Sequence, residues 1–195
     1  MNDLYSSGTV AEAYAAAFAA HPERTAMVLA DGSTWTYAEL QQRVFRMARY
    51  LQTLGLRHQQ GVALLASNQP EALVLLIACT HLGLRQTSLH PLGALDDQAF
   101  VLGDADISCL VVGPQFVERG CALQARAGLA HVVSLGPNGA GPDAIAASAQ
   151  LDASPLPIQA QPQDINRVTY TGGTTGRSKG VVHLHRTTLT MTLLQ

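Results

Sequence analysis

The 195-residue chain is poor in charge: only 13% of its residues are Asp, Glu, Lys or Arg, with a balance of −2 at neutral pH. A nucleic-acid binder needs a basic face against the phosphates, so no nucleic-acid partner is expected. Aromatic residues are scarce too, 5% with a single Trp, which leaves little material for base-stacking platforms. Long apolar runs are missing. Runs such as Ala72–Ala78 fall far short of a bilayer's thickness, so no transmembrane segment is expected. The opening MNDLYSSGTV has neither a basic start nor a long apolar stretch, which argues against a secretory leader. The three cysteines, Cys79, Cys109 and Cys121, form no CxxC pair. Their odd number and apolar neighbours read as reduced core thiols, and with them a cytoplasmic location. His183 and His185 alternate in a strand-like run and would point the same way, but no third ligand stands near them, so no metal site is expected.

Apolar residues, by contrast, make up 47% of the chain, enough for a packed core. Val10–Ala20 reads as an Ala-rich helix, and Ala26–Ala30 and Thr34–Tyr37 as two short strands about the turn Asp31-Gly32-Ser33. Thr36 followed three residues later by Glu39 is a capping box. Behind it Leu40, Val44, Met47, Leu51 and Leu54 recur at helical spacing, and Gly55 ends the run. Gly61–Ser67 is a continuous apolar strand. Asn68 is expected to cap the next helix, with Pro70 and Glu71 in its first turn. That helix is apolar nearly all round and should be buried.

Strand and helix then alternate: Gln86–His90, Asp96–Asp104, Cys109–Val112, Gln115–Ala127 and His131–Leu135. This spacing implies right-handed βαβ units, an α/β fold with a largely parallel sheet flanked by helices. From Gly136 to Pro162 the composition turns to Gly, Pro, Ala, Ser and Gln, which reads as a surface linker with a short helical turn near Ala144–Ala149. The expected division is a lobe over 1–163, with its Gly/Pro/Ala-rich linker at 136–163, and a second unit over 164–195. The second unit holds the strand Ile165–Thr171, a loop, the strand Gly180–His185 and the start of a helix from Thr187.

Between those last strands lies TYTGGTTGRSKG, Thr169–Gly180. Gly172, Gly173 and Gly176 can bring backbone N–H groups close to a ligand, and consecutive amides make a concave anion site. Thr171, Thr174, Thr175 and Ser178 add hydroxyls, Lys179 a point charge and Arg177 a fork of donors. A polyphosphate, with many acceptor oxygens and several negative charges, suits that set. The order is not Walker A, because Gly176 is followed by Arg-Ser-Lys-Gly and the loop leads into a strand-like run. A hairpin that binds nothing is the competing reading.

The segment resembles the phosphate-binding signature of the adenylate-forming superfamily: acyl-CoA synthetases, peptide-synthetase adenylation domains and luciferases. Tyr170, Thr171, Gly173, Thr174, Thr175, Gly176, Lys179, Gly180 and Val181 carry the match, while Gly172 stands where Ser is usual and Ser178 where Pro is usual. The likeness extends to Thr36-Tyr37-Ala38-Glu39-Leu40, to Asn68-Gln69-Pro70-Glu71 and to Ser88-Leu89-His90-Pro91, where His90 replaces a usual Asn. The resemblance implies that a carboxylic acid attacks the α-phosphate of ATP, with Mg²⁺, giving an acyl-adenylate and pyrophosphate. A thiol, most often coenzyme A, then takes the acyl group. It further implies that Thr171, Gly172, Gly173, Thr174, Thr175, Gly176, Arg177, Ser178 and Lys179 hold the outer phosphates, none of them as nucleophile or base.

The family's adenine loop, its Mg²⁺-binding acidic residue, its ribose-binding Asp and its adenylation lysine lie further along than Gln195. The expectation is therefore the N-terminal part of an acid:CoA ligase, inactive alone and completed by the rest of a parent enzyme. A peptide-synthetase adenylation fragment and a non-catalytic truncated paralogue are the alternatives. Apolar strands left without their usual neighbours would favour self-association. His185-Arg186 and Trp35 read as structural residues.

Overall fold

The computed structural model describes residues 8–171 and 177–193. It begins with α1 (Val10–Ala20), whose cap Thr9 forms a capping box with Glu12. Then β1 (Thr25–Val28) and β2 (Thr34–Thr36) make a small antiparallel pair. α2 (Tyr37–Thr53) starts at the expected box: Glu39 N–H donates to the Thr36 hydroxyl at 3.2 Å, and Thr36 N–H to the Glu39 carboxylate at 2.8 Å.

The main sheet contains β3 (Gly61–Leu65), β4 (Arg85–Ser88), β5 (Ile107–Val112), β6 (His131–Ser134), β7 (Ile165–Thr171) and β8 (Lys179–Leu184). Their order is β6-β5-β3-β4-β7-β8, and every neighbouring pair is parallel except β7 and β8. The strand–loop–strand near the end of the chain is thus continuous with the sheet, joined through β4. The helices are α3 (Pro70–Leu82), α4 (Leu95–Asp104), α5 (Val117–Ala127, after a tight turn at Pro114–Phe116), α6 (Ala144–Ala149) and α7 (His185–Leu193).

Alternation along the strands divides the apolar interior in two. Val62 and Leu64 of β3, with Cys109 and Val111 of β5, face α1, α2, α3 and α6. Ala63 and Leu65, with Leu110 and Val112, face α4 and α5. All of β3 is buried, as its unbroken apolar run requires. α3 is buried round most of its circumference and ends at Gly83, whose φ of 66° is the left-handed conformation glycine adopts freely.

Several expectations are corrected. Asn68 is not the cap of α3. Gln69 is, without a side-chain cap bond, and its amide instead donates to Leu135 O at 3.0 Å. β8 stops at Leu184, and His185 opens α7 as a fully buried residue, so His183 and His185 do not share a strand face. Neither His185 ring nitrogen has a hydrogen-bond partner among the described residues. Cys79 and Cys109 are buried, where desolvation pushes the Cys109 thiol up to about 12, but Cys121 is exposed on α5. Trp35 lies in the core, with the Arg43 guanidinium 4.1 Å over its ring.

The 136–163 stretch contains α6 at the expected place and straps across α2 and α3. Arg46 donates to Leu151 O at 3.2 Å and Arg49 to Ser154 O at 2.8 Å, while Gln159 N–H donates to His81 O at 2.9 Å.

Candidate functional site

From β3 the chain crosses through α3 on one face of the sheet to β4. From β4 it returns through α4 on the other face to β5, on the far side of β3. The connections therefore part beyond the carboxyl ends of β3 and β4, the place where open α/β sheets leave a crevice for ligands. A cavity of about 820 Å³ lies there. Ser67 and Asn68 follow β3 into it, and Ser88 and His90 close β4 over it. Ala72 and Leu76 line it from α3, and Asp97, Gln98 and Val101 from α4. Tyr170 and Ser178 complete the wall from the β7–β8 side.

The rim is held by a small polar network. Gln98 donates from its amide nitrogen to His90 O at 2.7 Å. Arg119 donates to Gly93 O at 2.7 Å and to the Gln98 amide oxygen at 2.8 Å. His90 Nδ1 accepts from Leu92 N–H at 3.2 Å, so in the neutral ring the proton sits on Nε2. These bonds shape the turn after β4, which local sequence leaves open.

Of the nine residues expected to hold phosphates, Thr171, Arg177, Ser178 and Lys179 are described, and Gly172, Gly173, Thr174, Thr175 and Gly176 lie outside the described residues. Thr171 and Lys179 are partners across the antiparallel ladder, so the strand pair brings a hydroxyl and an ammonium side by side at the mouth of the loop. Ser178 reaches the cavity wall. Arg177 engages α4: its guanidinium lies 5.0 Å from the centre of the Phe100 ring. On the other stem the Tyr170 hydroxyl donates to Asp104 Oδ2 at 2.5 Å. Burial first, then the bond to Asp104 and that carboxylate's charge, push the Tyr170 phenol up, so it stays a donor at neutral pH.

Two lining features escape sequence reasoning. In the sequence His90 stands out only as a departure from a motif, and Asn68 only as a helix cap and the first residue of a motif, yet both border the cavity. The available signal is their place just past the ends of successive parallel strands. Among the described residues no three His, Cys, Asp or Glu side chains are grouped to hold a metal ion, and no helix is long and apolar enough to cross a membrane.

Comparison with known proteins adds a family match. The model of the AMP-binding enzyme family matches residues 14–195. The medium/long-chain-fatty-acid–CoA ligase FadD8 of Mycobacterium tuberculosis is 36% identical over 187 residues, covering 90% of this chain and 32% of that protein. A linear gramicidin synthase of Brevibacillus parabrevis is 31% identical over 183 residues, covering 93% of this chain and 2% of that one. The crystal structure of ATP-bound MatB from Rhodopseudomonas palustris superposes with a TM-score of 0.78 at 32% identity, covering 90% of this chain and 35% of that one. The chain thus spans about a third of the length of the CoA ligase it matches.

Proposed function

Since the chain belongs to the AMP-binding enzyme family, we propose that it is the N-terminal part of an ATP-dependent ligase that activates a carboxylic acid for transfer to coenzyme A. In this reading the segment Thr171–Lys179 holds the β- and γ-phosphates of ATP. Lys179 neutralises charge on the departing pyrophosphate, and Thr171 and Ser178 donate hydrogen bonds to it. The acid supplies the nucleophile, its carboxylate oxygen attacking the α-phosphorus. Mg²⁺ bound with the nucleotide would supply further charge neutralisation at the phosphates; no group of three His, Cys, Asp or Glu side chains stands among the described residues to hold it. The single observation that carries the reading is the pairing of Thr171 with Lys179 at the end of the β7–β8 pair, next to Tyr170 and Ser178, which line a cavity beyond the carboxyl ends of parallel strands. The ATP named for MatB and the CoA ligase activity named for FadD8 support the same chemistry.

The working protein is expected in the cytoplasm, and this chain is expected not to complete adenylation by itself. Acid-dependent exchange of labelled pyrophosphate into ATP tests both the ligase reading and the inactivity of the short chain. A longer parent chain should show exchange and residues 1–195 none, and exchange by the short chain would sink the claim of inactivity. The likeness to the gramicidin synthase favours a second reading, amino-acid activation for a peptide synthetase. Exchange by the parent that answers to amino acids, and not to fatty or aromatic acids, would select it. A parent without exchange that still binds ATP would instead mark a non-catalytic binding module.

A further inference from the structure

We propose that α4 positions the phosphate-binding groups Thr171, Ser178 and Lys179 by anchoring the two stems that carry them, with Asp104 and Phe100 as positioning residues and Arg177 as an anchor; this rests on the phosphate reading above. Entering the segment, the Tyr170 hydroxyl is tied to Asp104 at the last turn of α4. Leaving it, the Arg177 guanidinium is laid over Phe100, one helical turn earlier on the same helix. The two anchors are of different kinds, a charge-assisted hydrogen bond and a cation–π contact, and they meet one rigid element.

Gly180 makes the first anchor feasible. It sits opposite Tyr170 in the ladder, and a Cβ there would lie 3.1 Å from Tyr170 Cζ and 2.9 Å from Val168 Cγ1. Only a bare backbone at 180 leaves the phenol ring room to lie across β8 towards α4. The same helix lines the cavity with Asp97, Gln98 and Val101, two turns or fewer from its anchors. A shift of α4 therefore reaches the cavity wall and both stems together.

The test uses residues 1–195 and ATP as the probe. Asp104→Asn, which leaves a neutral acceptor where a charged one stood, and Phe100→Leu should each weaken ATP binding about three- to five-fold by calorimetry, as loss of charge assistance and of an exposed cation–π contact would. Phe100→Tyr, which keeps a ring face, should bind as wild type. A pure packing role at 100 would be met by Leu as well as by Tyr, so that split separates positioning from bulk. Limited trypsin digestion reads the anchors without ligand. Cleavage after Arg177 and Lys179 should speed up several-fold in Asp104→Asn and Phe100→Leu and stay slow in Phe100→Tyr. Unchanged affinity and unchanged cleavage in the first two variants, with Lys179→Ala still impairing ATP binding, would overturn the anchoring alone. Wild-type affinity in Lys179→Ala, or no ATP binding by the wild type, would overturn the phosphate reading and the anchoring with it.

Discussion

β3 and β8 belong to one sheet but do opposite work. Every residue of β3 is buried, whereas Lys179, Gly180, Val181 and Val182 of β8 are exposed. β3 is covered on both faces by helices and hydrogen-bonded on both edges. Among the described residues β8 has a neighbour on one edge only. The lesson is a division of labour: apolar burial around β3 supplies stability, and the edge pair carries the polar groups assigned to phosphate.

The comparison breaks if substitutions at the two strands have like effects. The largest effect is expected at Leu65, which has no exposed surface and faces the α4–α5 core. Leu65→Ala should cost about 2–5 kcal/mol in denaturant unfolding. Lys179→Ala should do the reverse, weakening ATP binding by about ten-fold, as loss of a charge-assisted hydrogen bond would, while unfolding stays within about 0.5 kcal/mol of wild type. A large stability loss from Lys179→Ala would place β8 within the stabilising core and end the contrast.

Acid sharpens the comparison through two buried histidines, His81 in α3 beside β3 and His185 directly after β8. Burial holds both His81 and His185 below the usual histidine value of 6.5. For His185 the charges of Asp164 and Glu12 oppose that shift and His58 adds to it. Folding thus favours the neutral rings. Their contribution is complete above about pH 6.5 and is lost as pH falls below it, when the unfolded chain gains protons the folded one refuses. Melting temperature should accordingly drop between about pH 7 and 5.5, and His185→Leu should flatten the slope. A slope unchanged by that substitution would remove His185 from the account.

The smallest effect is expected at Val182, an exposed apolar residue on the open edge strand. Val182→Lys should change stability by less than about 0.5 kcal/mol. We propose that this edge self-associates in the isolated chain, so the same substitution should lower the apparent mass in light scattering. A monomer in both proteins would discard the idea.

Much of this is legible in the residues. The capping box at Thr36, the apolar run of β3 and the alternation from Gln86 to Leu135 each state their own element, because local spacing decides them. Asn68 misleads because a good cap residue stands one position before the actual cap, and Pro70 fixes the first turn regardless. His185 misleads because packing of α7 against α1 and the 161–164 turn, not strand periodicity, settles its place. The cavity is the least legible part. Its wall gathers Asn68, His90, Gln98 and Tyr170 from four separate stretches, and only the strand order brings them together. The strap over 150–160 is invisible for a like reason, since its partners Arg46, Arg49 and His81 lie more than 70 residues away in sequence.

Along β3 and β5, neighbouring residues answer to different helices. Leu75 of α3 and Leu123 of α5 both have almost no exposed surface, yet they fall in separate clusters with the sheet between them. Trimming both to Val should give free-energy changes that sum to within about 0.5 kcal/mol, as for residues with no shared neighbour. Such insulation lets variation accumulate on the α4–α5 side, which shapes one wall of the crevice, without retuning the thicker layer behind the sheet.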